Sequence, residues 1–342
     1  MVFWYHKSIW QIIFWPLHWL LSLLVWLRFK AYRTGLLKSA PKQLPVIVVG
    51  NISVGGTGKS PVVQSLVADL KRQGLKPAII SRGYGGKALN YPLEVTAESD
   101  VAETGDEAFM LASRCECPVV VDPVRSRALD LLATTQQCDV VVSDDGLQHY
   151  AMPRQCEIIV VEGQRFLGNE LLMPFGPLRE PQWRLKHGDA VVINHRFDSF
   201  SPLTENLRHQ GLDVYDCHFA AKHFRLLGDD ETHLSWQQFV KQFRDTKIHA
   251  IAGIGNPEAF FAYLRSLGLS IQTHDFPDHH EFIESDLNFD EGIVVMTEKD
   301  ASKCQFFEKE DLWSLVIENH ITPNLTQHCL RKLGLHDSSE RA

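Results

Sequence analysis

Leu44-Pro-Val-Ile-Val-Val-Gly50-Asn-Ile-Ser-Val-Gly-Gly-Thr-Gly-Lys-Ser-Pro61 is the stretch that decides the fold. Its first part is a continuous apolar run of the kind a buried parallel strand needs. Beyond it Val62, Val63, Leu66, Val67 and Leu70 recur as one face of a helix. The glycines therefore occupy a strand-to-helix turn, where backbone N–H groups and a helix N-terminus surround a phosphate. The expected nucleotide loop is Ser53, Val54, Gly55, Gly56, Thr57, Gly58, Lys59 and Ser60. Lys59 reaches the terminal phosphates, and the Ser60 hydroxyl is a ligand for Mg²⁺. Pro61 suits a first helical turn, where its missing N–H is not needed. The usual loop has Gly where this chain has Ser53, so the loop is a variant; an ordinary glycine-rich turn is the plain alternative.

A second signal lies downstream. Asp139-Val-Val-Val-Ser-Asp-Asp-Gly146 reads as a buried strand ending in paired acids, Asp144 and Asp145. That is the pattern of a strand whose carboxylate helps hold Mg²⁺ beside a phosphate loop. Gln148 and His149 extend the same loop. Between the two signals, residues 76–86 predict a strand and glycine turn that bring Arg82 and Tyr84 to the ligand-binding edge of an open α/β sheet. Asp106 opens a helix; its plain role is capping, and beside a phosphate loop it can orient an attacking hydroxyl. Arg125 and Arg127 follow a further strand and are either solvated or anion-binding. Residues 165–184 form a long loop in which Arg179 and Glu180 are candidates for phosphate and metal.

Composition sets the class. The chain has 342 residues, 44% hydrophobic and 22% charged, which suits about two globular domains. Its net charge of −8 hides an asymmetry, because residues 1–43 hold six Lys or Arg and no acid. An acidic body on a basic neck argues against a nucleic-acid protein and for a membrane-facing N-terminus. Residues 8–27 carry no formal charge and are rich in Trp, Leu and Ile, enough for a helix that spans or lies on a bilayer. Arg28, Lys30 and Arg33 place the body of the chain on the cytoplasmic side. Seven scattered Cys imply no disulfide framework and fit a reducing compartment.

The expected organisation is an N-terminal anchor and neck (1–40), a core (41–196), a smaller α/β lobe (197–335) and a disordered tail (336–342). The expected fold class is α/β: a P-loop NTPase-type, mainly parallel sheet with helices on both faces, plus the smaller lobe and a membrane helix. In that lobe, residues 248–267 read as strand, turn and helix with no Lys after the glycines, hence scaffold. Lys299 and Asp300 are adjacent, so they do not form a guanine-reading motif.

Taken together, the motifs resemble the tetraacyldisaccharide 4′-kinase family of lipid A synthesis over nearly the whole chain. The resemblance rests on Gly50-Asn-Ile-Ser-Val-Gly-Gly-Thr-Gly-Lys-Ser-Pro61, Ser81-Arg-Gly-Tyr-Gly85, Gly105-Asp-Glu107, Ser143-Asp-Asp-Gly-Leu-Gln-His149, Pro177-Leu-Arg-Glu180, Phe276-Pro-Asp-His-His280 and Thr297-Glu-Lys-Asp300. It implies transfer of the ATP γ-phosphoryl group to the 4′-hydroxyl of an anionic acylated glucosamine disaccharide lipid at the inner membrane, by a monomer. It further implies catalysis by Asp106 and His279 with Lys59, and Mg²⁺ held by Ser60 and Asp145 with Glu180 and Asp144. Asn51, Arg82, Tyr84, Arg125 and Gln148 are the candidate substrate residues. The competing readings are a membrane-tethered ATPase or GTPase switch and a nucleotide-binding scaffold.

Overall fold

The computed structural model describes residues 2–5, 9–41, 43–96, 98–135, 138–196, 202–229, 231–278, 280–304, 307 and 311–335. His279, residues 197–201 at the expected start of the smaller lobe, and the tail 336–342 lie outside the described residues.

Among the described residues, thirteen strands form one sheet. They are β1 (Val46–Gly50), β2 (Pro77–Ser81), β3 (Leu93–Val95), β4 (Val119–Val121), β5 (Val140–Asp144), β6 (Cys156–Glu162), β7 (Ala190–Arg196), β8 (Val214–Leu226), β9 (His233–Leu234), β10 (Ile248–Ala252), β11 (Ile271–Asp275), β12 (Ile293–Thr297) and β13 (Leu312–Thr322). Their order is β11-β10-β12-β13-β8-β7-β6-β1-β5-β2-β4-β3, with β9 on β8. These pairings are parallel except β3 with β4, β8 with β9 and β8 with β13. The second half of the chain therefore continues the sheet of the first half through the long β8–β13 ribbon. β8 and the edge strand β3 lack a run of apolar residues strong enough to announce them, and β13, which opens on one at residues 312–317, has its ribbon partner far away in sequence.

The apolar run of β1 is explained by burial on both faces. Ile47 and Val49 enter one core cluster with Val62, Val63 and Leu66 of the helix Lys59–Arg72. Val46 and Val48 enter the opposite cluster with Leu129 and Leu132 of the helix Arg125–Thr135. The sheet is thus covered on both sides, as parallel strands require. Two further clusters flank β10, β12 and β13.

The N-terminal helix departs from the expected boundary. Residues Ile9–Phe14 form a 3₁₀ turn, and the α-helix runs Trp15–Arg33, with Pro16 in its first turn, where proline is tolerated. Arg28, Lys30 and Arg33 are therefore part of the helix rather than a separate neck. Phe29 is its one buried residue. Trp19 (68% exposed), Leu20, Leu23 and Leu24 face outward, and residues 11–33 are long and apolar enough to cross a membrane by length and composition.

Candidate active site

The phosphate loop springs from the carboxyl end of β1, between β5 and β6. Sequence chemistry fixes its shape at two glycines. Gly58 has φ +82°, and a Cβ there would strike the Asn194 amide; Gly50 has no room for one against Leu147. Asn51 is fully buried and donates to Thr57 Oγ1 at 2.9 Å. Gln148 donates to the Asn51 carbonyl at 2.9 Å, and Asn194 donates to the Thr57 carbonyl at 2.9 Å. Asn51 and Gln148, expected as substrate contacts, thus brace the loop from within and behind. Asn194 is not among the residues expected from the sequence. Its one signal there is a polar residue directly after the apolar run of β7, as Asp144 follows that of β5. The long loop clamps the base as well: Val54 N–H donates to the Pro177 carbonyl, and Arg179 N–H to that of Ile52.

A cleft of about 500 Å³ opens over this loop. Its floor is Val54 to Pro61, and Asp145, Arg179, Tyr84 and Glu107 line one side. The ribbon supplies Phe219, Leu315 and Ile317, and the second half supplies Ile254, Asn256, Asp278 and Lys299. The turn at residues 253–256, read from sequence as scaffold, is instead part of the site. A Cβ on Gly255 would lie 3.3 Å from Gly56 N, so this turn sits directly over the phosphate loop.

Asp145 adopts φ +48° and turns its carboxylate to Lys59 (3.6 Å) and Arg179 (3.1 Å). Burial works to raise its pKa, but the two cations outweigh burial and hold it below the usual carboxylate range. Asp144 is the opposite case. It is 1% exposed, and neither carboxylate oxygen has a hydrogen-bond partner among the described residues. Burial, then Glu107, pushes its pKa up to about 7 against the pull of Lys59. A buried anion left without donors is the arrangement a cation completes. With the Ser60 hydroxyl and Asp145 in the same loop pair, the donor set is all oxygen and suits Mg²⁺. Glu180 and Asp144 do not line the cleft. Glu180 accepts a hydrogen bond from Tyr150 and lies 3.3 Å from Arg184 Nε, in a buried cluster beneath the loop.

Asp106 is not a cap. Gly105, at φ +83°, precedes the helix Asp106–Cys115, and Asp106 is its first residue. Its carboxylate lies 3.2 Å from Lys303 Nζ, and Lys299 pairs with Asp278 (3.4 Å) and Glu107 (3.6 Å). Lys299 and Lys303 are one turn apart on the helix Glu298–Cys304, so one helix of the second half holds the acidic helix start of the first half. Lys303 is likewise absent from the sequence expectations; its i, i+4 relation to Lys299 is the available signal. Asp300 faces inward instead, accepting from Gly253 N–H and the Thr297 hydroxyl. Arg125 is buried and donates to the Asp145 carbonyl at 3.3 Å, while Arg127 pairs with Asp122. Arg82 is exposed, and Tyr84 stands at the cleft mouth, 64% exposed.

A glycine-rich strand-to-helix loop with its lysine, a paired-acid strand beside it and a cleft completed by the second half define a P-loop nucleotide-binding protein. Comparison with known proteins narrows the class. The family described as tetraacyldisaccharide-1-P 4′-kinase, LpxK, matches residues 10–334. The tetraacyldisaccharide 4′-kinase of Methylobacillus flagellatus is 42% identical over 332 residues, 96% of this chain and 94% of its own. That of Nitrosococcus oceani is 44% identical over 317 residues, 91% and 87% of the two chains. The crystal structure of LpxK from Aquifex aeolicus in complex with ATP superposes with a TM-score of 0.76 at 26% identity, covering 95% of this chain and 100% of that one. The chain belongs to the tetraacyldisaccharide 4′-kinase family.

Proposed function

We propose that this protein transfers the γ-phosphoryl group of ATP to the 4′-hydroxyl of a tetraacylated glucosamine disaccharide 1-phosphate, giving the bisphosphorylated lipid A precursor. The observation that carries this reading is the convergence of the phosphate loop, Asp145 and Glu107 on one cleft, with Asp106, the residue before Glu107, held by Lys303.

The loop N–H groups and Lys59 meet the β- and γ-phosphates, and Arg179, now on Asp145, is within reach of the same charge. The apolar side, Phe219, Ile254, Phe260 and Ile317, suits a nucleobase. Ser60 and Asp145 would hold Mg²⁺ at the cleft wall, with Asp144 behind them, and the ion would neutralise charge on the phosphates. Asp106 accepts or orients the proton of the attacking sugar hydroxyl. In a loose transition state that proton leaves late, so positioning outweighs basicity. Family resemblance pairs Asp106 with His279. Lys303, 3.2 Å away, holds the Asp106 carboxylate in place. Because Asp106 and His279 come from different halves of the chain, closure of the halves would complete the site.

The N-terminal helix seats the enzyme on the cytoplasmic face of the inner membrane, lying in the interface rather than crossing. It touches the body at both ends. Trp4 Nε1 donates to the Pro174 carbonyl, the Phe14 and Phe175 rings stack at 4.4 Å, and Leu172 N–H donates to His18 Nδ1 at 3.2 Å. At the other end Phe29 packs on Trp183 and His187. Nineteen residues span about 28 Å, and contacts to one body near both ends of that length support an interfacial placement.

The test is transfer of radiolabelled γ-phosphate to the lipid by the wild type and by Asp106→Ala, His279→Ala and Asp145→Ala at saturating lipid. All three variants lose transfer by orders of magnitude. Full turnover by His279→Ala would remove that residue from the mechanism, and ATP hydrolysis without lipid product would favour the switch reading.

A further inference from the structure

We infer that Tyr150 is a positioning residue that ties the seating of the membrane helix to the metal-binding side of the active site. Its ring is the floor on which the helix rests. Phe29 meets it edge-on at 5.7 Å, Tyr32 lies at 5.8 Å, and the Arg28 guanidinium stands over it at 5.5 Å. Its hydroxyl points the other way and donates to Glu180. Glu180 follows Arg179, which holds both oxygens of Asp145 at 3.1 and 3.2 Å. One side chain therefore touches the helix with its ring and the residue next to the Asp145 clamp with its hydroxyl.

The surroundings make this connection stiff. Arg184, 0% exposed, donates to both oxygens of Glu157 at 2.7 and 2.8 Å and lies under both the Phe29 and Tyr150 rings. Burial and the Glu180 carboxylate both keep the Tyr150 hydroxyl protonated, so it stays a donor. A second thread runs parallel. Arg28 donates to the Gln148 carbonyl at 3.3 Å, Gln148 to the Asn51 carbonyl, and Asn51 to Thr57 in the phosphate loop. Helix residues 28–32 thus lean on two loops whose far ends carry Asp145 and Thr57. Lifting the helix uncovers the Tyr150 ring and frees Glu180, Arg179 and Asp145 to shift together. Seating the helix on a membrane holds them in register, so the enzyme is competent where its lipid lies.

This inference rests on the kinase reading only for its purpose; its test reads binding. A fluorescent ATP analogue is titrated with Mg²⁺ in detergent micelles, without lipid acceptor, for the full-length wild type, Tyr150→Phe, Phe29→Ala and the double variant. Phe29→Leu, which keeps the apolar volume, serves if the alanine variant fails to fold. Tyr150→Phe raises the Mg²⁺ concentration for half-maximal binding about tenfold, a usual size for coupling between sites. The helix-side variant raises it in the same direction, and the double variant exceeds the larger single effect by less than about twofold. In turnover assays kcat falls while KM for the lipid holds. An unchanged Mg²⁺ midpoint in Tyr150→Phe, or single effects that multiply in full, overturns the inference. Coupled binding in a protein that transfers no phosphate would instead sink the kinase reading and leave this one standing.

Discussion

Replacing Asp144 with asparagine should stabilise the metal-free protein, and only above the acid range. The carboxyl is buried without hydrogen-bond partners among the described residues, and its pKa rises from 3.8 to about 7. Below about pH 4 both folded and unfolded chains hold the proton, and the site costs nothing. Between about pH 4 and 7 the unfolded chain releases it while the folded chain keeps it, so stability falls by about 1.4 kcal/mol for each step of one in pH. Above about pH 7 the loss is complete, at about 4 kcal/mol, an upper figure because water entry relaxes a buried charge. The amide that replaces the carboxyl cannot ionise. Asp144→Asn should therefore raise the melting temperature in EDTA at about pH 8 by several degrees, of the order of 5 °C. By about pH 4.5 the gain should shrink to about 1 kcal/mol. Added Mg²⁺ and ATP should reverse the ranking, stabilising the wild type more than the variant. Differential scanning fluorimetry across this pH range reads all three effects. A gain independent of pH, or a loss at alkaline pH, would refute the assignment of Asp144 as an anion that awaits a cation.

Further outcomes are expected from the same geometry. Arg184→Leu leaves the buried Glu157 and Glu180 carboxylates short of a partner. Because Arg154 still holds Glu157 at 2.8 Å, the cost should sit at the lower end for broken buried pairs, about 3 kcal/mol, read as a lowered melting temperature; an unchanged one would show the network to be idle. Asn194→Ala releases the Thr57 carbonyl and should raise KM for ATP about fivefold, the value of one hydrogen bond, with KM for lipid steady; steady-state kinetics with ATP varied would expose an error. Trp19→Glu with Leu23→Glu puts charge on the exposed helix face and should abolish sedimentation with anionic vesicles while ATP binding in detergent survives; retained vesicle binding would contradict the interfacial placement.

The first half of the chain is legible because its strands are short, apolar and buried on both faces, and because the functional side chains sit next to them in sequence. Ser53 to Ser60, Asp144 and Asp145 need no long-range information. The N-terminal helix is legible in kind, but Pro16 looks like an interruption when it marks the helix start, and the basic residues look like a neck when they close the last turns. The β8–β13 ribbon is not legible, since residues such as Ala221, Lys222 and His223 give no alternation, and its two strands meet across a long intervening stretch of chain. The same long range hides Lys303, whose partner Asp106 belongs to the other half, and Asn194, whose contact is a carbonyl in the phosphate loop. Glu180 can be placed near the loop by sequence, but only packing shows Tyr150 and Arg184 around it.

The central claim is that the cleft delivers phosphate to a glycolipid alcohol rather than to water. Mass spectrometry of a monophosphorylated tetraacyl glucosamine disaccharide, incubated with the full-length protein and MgATP, tests it most directly. The account predicts a gain of one phosphoryl group, located by fragmentation on the distal sugar, with ADP formed in equal amount. ADP accumulating while the lipid mass stays unchanged would contradict it.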